Sequence, residues 1–154
     1  MTTSTLTLAL LSAVTLLTPL SARPDPDPLS AYRWTTRLLV LYVPDTQAGR
    51  ATLRSFRTSL DDRMEDVLDR DLLVVPVGDL PRPGDALRPA VEVGAPGRSQ
   101  VRRRFGLEGR EVQLLLIGKD GGMKARQSEG TLDLDRVFEL IDSMPMRRAE
   151  MQRR

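Results

Sequence analysis

Five charged side chains gather around one predicted turn: Lys119, Asp120, Lys124, Arg126 and Glu129. Two or three cations beside a tight turn can grip a carboxylate, a phosphate or an anionic partner through charge-assisted hydrogen bonds. Lys119, Lys124 and Arg126 are therefore the candidate binding residues. The same charges have a plainer use, because charged side chains along an edge strand discourage strand-to-strand aggregation. Both readings remain open at this level.

Other chemistry is narrowed by what the chain lacks. It contains no cysteine and no histidine. Thiol exchange needs a thiolate that attacks sulfur, so the isolated chain cannot perform it. A Ser-His-Asp triad is impossible. Acid–base work would fall to a carboxylate of raised pKa. Asp61 and Asp62 are adjacent, but neighbours on a helix point in different directions. No spaced carboxylate loop suggests a metal, and no glycine-rich strand-to-helix turn suggests a nucleotide. No metal or cofactor is expected. Arg102-Arg103-Arg104 has no aromatic neighbours for base stacking and reads as a solvated helix surface. The net charge of +2 gives no reason to expect nucleic acid.

The elements that must position these groups follow from periodicity. Residues 37–43 form a continuous apolar run, the mark of a central strand. Asp45 or Thr46 can cap a helix whose apolar face is Leu53, Phe56, Leu60, Met64 and Val67. Residues 72–77 make a second strand, parallel to the first across the helix. Segment 78–99 is rich in Pro and Gly and reads as a loop with a brief strand at 90–93. A short helix at 100–105 ends at Gly106, and a strand occupies 111–117. Asp120-Gly121 is a hairpin turn signal, with the returning strand at 123–126. Leu134, Val137, Phe138, Ile141 and Met144 line a closing helix capped by Asp133 and stopped by Pro145. Trp34, Tyr32 and Tyr42 are assigned to core packing.

The two ends read differently from the middle. Residues 6–17 are an uncharged apolar run followed by small residues, the pattern of a cleaved signal peptide at 1–22. The run is shorter than the roughly 20 residues a membrane span needs, so no stable span is expected after cleavage. Residues 23–28 alternate Pro with Asp and read as a stiff linker. The remaining chain suits one domain, 29–146, which can bury a core without disulfides. Residues 147–154 read as a frayed basic tail. The protein is expected to be exported, to the periplasm or outside the cell.

The order of elements resembles thioredoxin and peroxiredoxin domains. Tyr32-Arg33-Trp34, the run from Arg37, Gly118-Lys119-Asp120-Gly121-Gly122, Lys124, Arg126 and Met144-Pro145-Met146-Arg147-Arg148 resemble a more specific group. This is the bacterial exported domain-of-unknown-function family numbered 4174, similar to domains in animal extracellular sushi-repeat proteins. The resemblance implies an α/β, thioredoxin-like (peroxiredoxin-like) mixed sheet flanked by helices. It supplies no established reaction. It implies that Gln47 and Arg50 stand where thiols would be, and Val112 where a cis-proline is usual. Asp45, at the end of the first strand, becomes the lone acid–base candidate, with Arg50 beside it.

Two functions follow. The first is an exported, non-catalytic module that binds an envelope protein or an anionic ligand through Lys119, Lys124 and Arg126. The second is a non-thiol enzyme using Asp45 and Arg50 at the first strand–helix junction, which requires Asp45 to be buried.

Overall fold

The computed structural model describes residues 26–79, 87–128 and 132–153. The expected signal peptide, the start of the Pro-rich linker and Glu129 lie outside the described residues.

Strand β1 (Arg37–Tyr42) is buried along its whole length. Its side chains alternate between two cores, as strand geometry requires. Leu39 and Leu41 enter one, while Leu38, Val40 and Tyr42 enter the other. That is why the sequence shows an unbroken apolar run rather than an alternating one. The chain then forms α1 (Gln47–Asp62), α2 (Met64–Asp69), β2 (Leu72–Pro76), α3 (Ala95–Phe105), β3 (Gln113–Ile117), β4 (Met123–Ser128), α4 (Leu134–Ser143) and α5 (Pro145–Gln152). The sheet order is β2-β1-β3-β4. β1 pairs parallel with β2 and antiparallel with β3, and β3 pairs antiparallel with β4.

Helical side chains cover both faces. Phe56, Leu60 and Val67 from α1 and α2 share a core with Val137, Phe138 and Ile141 of α4. Val101 of α3 packs in the opposite core with Leu29 and Leu107. The fold is the expected α/β thioredoxin-like arrangement.

Several expectations need correction. The first helix is two helices, interrupted at Arg63, whose φ of −116° and ψ of 24° lie outside helical geometry. The α3 helix begins at Ala95 rather than Gln100, because Pro96 occupies its first turn, where a missing N–H costs nothing. Its end is as expected: Gly106 takes a left-handed φ of 59° and closes the last turn. Asp27 is not linker, since it accepts from Leu29 N at 3.1 Å and from Arg104 at 2.6 Å.

Pro145 does not end the helical region. It starts α5, again as a first-turn proline, so residues 147–152 are an ordered helix and not a frayed tail. Arg147 within it is buried. Trp34 is not core: it is 68% exposed, at a φ of 69°. Its backbone N–H donates to Lys119 O at 2.6 Å, which pins this turn to the hairpin. Arg102 and Arg104 are not simply solvated, because Asp79 and Asp27 pair with them.

Candidate functional site

The functional candidates lie at opposite ends of β1. Beyond its C-terminal end, Thr46 accepts from Gly49 N at 2.9 Å and starts α1. Asp45 and Arg50 form an ion pair there, and Asp45 is 55% exposed. The burial that an acid–base role requires is absent. Gln47 opens α1 and has no nucleophilic group. Among the described residues the cis peptide bond is Arg88–Pro89, away from Val112.

The N-terminal end of β1 carries far more charge. Arg37, only 1% exposed, donates to both carboxylate oxygens of Glu150 at 3.2 Å and to Arg70 O at 2.9 Å. Lys119 is 8% exposed and bridges Asp71 at 2.7 Å and Glu150 at 2.8 Å. Arg147 donates to Asp69 O at 2.8 Å, and its guanidinium pairs with Asp69 and with Asp142 at 3.2 Å. Arg70 joins Asp142 at 2.6 Å and stacks over Phe138 at 4.7 Å. Burial works against the charged form of Glu150. The Lys119 hydrogen bond and the Arg37 charge outweigh it and hold the carboxyl below its ordinary range.

The three hairpin cations therefore have different situations. Lys119 is a buried structural bridge. Lys124 is the extra residue where the β3–β4 register shifts, and it pairs with Asp120 at 2.6 Å. That hydrogen bond, with one from Gly122 N, holds Asp120 below its ordinary range. Arg126 pairs in register with Leu115, a residue of the α3-side core, and donates to Phe105 O. Lys119 and Lys124 line a common cleft and Arg126 does not.

That cleft has a volume of about 510 Å³. Its lining combines the charged residues Arg37, Lys119, Asp120 and Lys124 with the apolar residues Leu140, Met144, Pro145 and Met146. A volume of a few hundred Å³ with mixed lining is typical of small-ligand sites. Among the described residues no group of three Asp or Glu converges as a metal site.

A family model described as Domain of unknown function (DUF4174) matches residues 28–150. The chain belongs to this family. The DUF4174 match begins at Pro28, beside the anchored Asp27, and continues through most of α5. No curated protein matches the chain. Its fold is similar to the reduced 2-Cys peroxiredoxin of Plasmodium vivax, with a TM-score of 0.57 and 12% identity over 79% of this chain and 72% of that one. Thioredoxin peroxidase I of Plasmodium yoelii gives a TM-score of 0.58 and 14% identity, covering 79% of each chain. The mitochondrial 2-Cys peroxiredoxin of Plasmodium falciparum gives 0.52 and 12%, covering 75% of this chain and 79% of that one. Identities this low establish the fold alone.

The segments that carry the DUF4174 resemblance meet in space. Arg37, Lys119 and Arg147 belong to three of them, and all enter the charged network beside the cleft. Sequence reasoning missed its central carboxylate, Glu150. The available signal was Arg147 and Glu150 at i, i+3 after a proline that favours a helix start.

Proposed function

We propose that this DUF4174 protein is an exported thioredoxin-like module that binds a partner protein or an anionic ligand and performs no thiol chemistry. The observation that carries the proposal is the convergence of Arg37, Lys119 and Lys124 on one cleft, at the sheet end away from Asp45. Export is supported by the apolar run at 6–17 and the small residues after it. The absence of cysteine supports the exclusion of thiol catalysis. Lys124 replaces the three-cation set as the residue to alter, because Lys119 neutralises two carboxylates and its loss would disturb the fold.

The test has two arms. Cell fractionation with N-terminal sequencing is expected to find the protein in the envelope or medium, beginning near Arg23. A photo-crosslinking side chain is placed at Met146 or at Arg50 in intact cells. A discrete adduct from position 146 and none from 50 is expected. Adducts from position 50 alone would move the site to the strand–helix junction and overturn this assignment.

A further inference from the structure

The chain has one tryptophan, and its placement runs against both burial and backbone preference. Trp34 is 68% exposed, although burying so large an apolar side chain is favourable. Among the described residues, the non-glycine positions with a left-handed φ are Trp34 and Asp71, at 69° and 48°. For a bulky side chain that conformation is uncommon and persists only where the surroundings enforce it. Lys119 holds both residues: its carbonyl accepts from Trp34 N at 2.6 Å, and its ammonium bonds Asp71 at 2.7 Å. Thr36 N closes the turn by donating to Tyr32 O at 3.0 Å. The indole is thus held outward on a fixed turn. Tryptophan is enriched among the few residues that dominate interface energies, and a side chain fixed beforehand loses little freedom on binding.

The cleft beside this turn has the chemistry to receive such a ring. Lys119 belongs to its lining, and Trp34 of the same chain lies outside it. The cations of the cleft are matched within the protomer, Arg37 by Glu150, Lys119 by Asp71 and Lys124 by Asp120. That balance calls for a neutral occupant. It also lets two copies bring this face together without opposing unpaired like charges. Leu140, Met144 and Met146 offer apolar contact, and thioether sulfur packs favourably against aromatic rings. The ammonium of Lys124, held by Asp120 at 2.6 Å, can face a ring as well. A volume of about 510 Å³ has room for an indole.

We infer that the protein forms a two-fold dimer in which Trp34 of each protomer enters the cleft of the other. The inference rests on the proposed binding role and names its partner as a second copy of this chain. Anchor and receptor lie at one end of the molecule and share Lys119. Such a surface is self-complementary, as a two-fold interface requires, because each contact recurs across the axis. An aromatic side chain buries about 150–250 Å². Two exchanged indoles alone fall short of the roughly 1,200 Å² of a standard interface. The dimer is therefore expected to be of micromolar affinity or weaker.

Because the chain has one tryptophan, its fluorescence reads the anchor alone. The mature protein is followed by sedimentation velocity and tryptophan emission from about 1 μM to about 1 mM. The expected result is conversion of monomer to dimer, with emission moving to shorter wavelength and iodide quenching falling over the same range. Trp34→Ala removes the anchor and Met146→Lys blocks the cleft. Each is expected to weaken the dimer roughly tenfold or more. Both side chains are exposed, so in dilute solution both variants should keep the wild-type urea midpoint. Mixing the two variants leaves one anchor facing one open cleft, and the mixture should associate more tightly than either variant alone. A wild type that stays monomeric throughout, a dimer whose Trp34 remains as open to iodide as in the monomer, or a mixture no tighter than its components overturns the inference. Crosslinking from position 146 to a different protein, with the purified chain monomeric, would overturn this inference alone and leave the module proposal standing.

Discussion

Glu150 is the residue on which the charged end of the sheet depends. It faces Arg37 and Lys119, both nearly inaccessible to water, and is itself 17% exposed. Removing its charge leaves two buried cations short of a partner, which costs much more than losing a surface ion pair. Glu150→Gln is expected to lower stability at pH 7 by about 3 kcal/mol, measured by urea unfolding. The pH dependence has a definite direction. The folded pKa of Glu150 lies below its ordinary value of 4.5, so the unfolded chain takes up the proton more readily. Its contribution is complete above that ordinary value and fades as pH falls through the depressed one. The gap between wild type and Glu150→Gln should therefore be widest near neutrality and close in acid. A gap unchanged down to pH 3 would show that the carboxylate charge is not what stabilises this site.

At the scale of elements, α5 is the piece that local sequence patterns misjudge. Its residues are mostly polar, its first residue is a proline, and no apolar stripe marks it as helix. What orders it is tertiary: Arg147 reaches Asp69 and Asp142, and Glu150 reaches back 113 residues to Arg37. Ala149 is exposed, so a proline there tests the helix and not side-chain packing. Ala149→Pro is expected to cost about 3 kcal/mol or more, because it removes an intrahelical hydrogen bond and clashes with the preceding turn. Arg148→Ala, also exposed, is expected to stay within about 0.5 kcal/mol. Equal, negligible effects in thermal unfolding would return the segment to a frayed tail. By contrast, β1, the hairpin at Asp120-Gly121 and α4 with its Asp133 cap were legible, because their signals are local. Asp133 indeed accepts from Arg136 N at 3.1 Å, and Gly121 has the φ of 79° that its turn requires. Trp34 was misread because hydrophobicity favours burial, while its place in a turn depends on a hydrogen bond to distant Lys119.

The whole molecule is polarised along β1. Its C-terminal end carries Asp45 and Arg50, an exposed pair with no buried partner. Its N-terminal end carries a network that joins β1, the end of α2 and the residues after it, the β3–β4 turn, α4 and α5. Sequence spacing can show that a chain has many arginines and aspartates, but not which of them share a buried hub. The distinction has energetic consequences, since exposed pairs contribute about 0–1 kcal/mol and buried ones several times that when one partner is lost. The double variant Asp45→Ala/Arg50→Ala is accordingly expected to keep the wild-type urea midpoint within the shift that about 1 kcal/mol produces. It should also leave crosslinking from position 146 unchanged. Loss of that signal in a stably folded double variant would mean that the two ends of the sheet are coupled. In that case the strand–helix junction, not the cleft alone, would belong to the working surface of the protein.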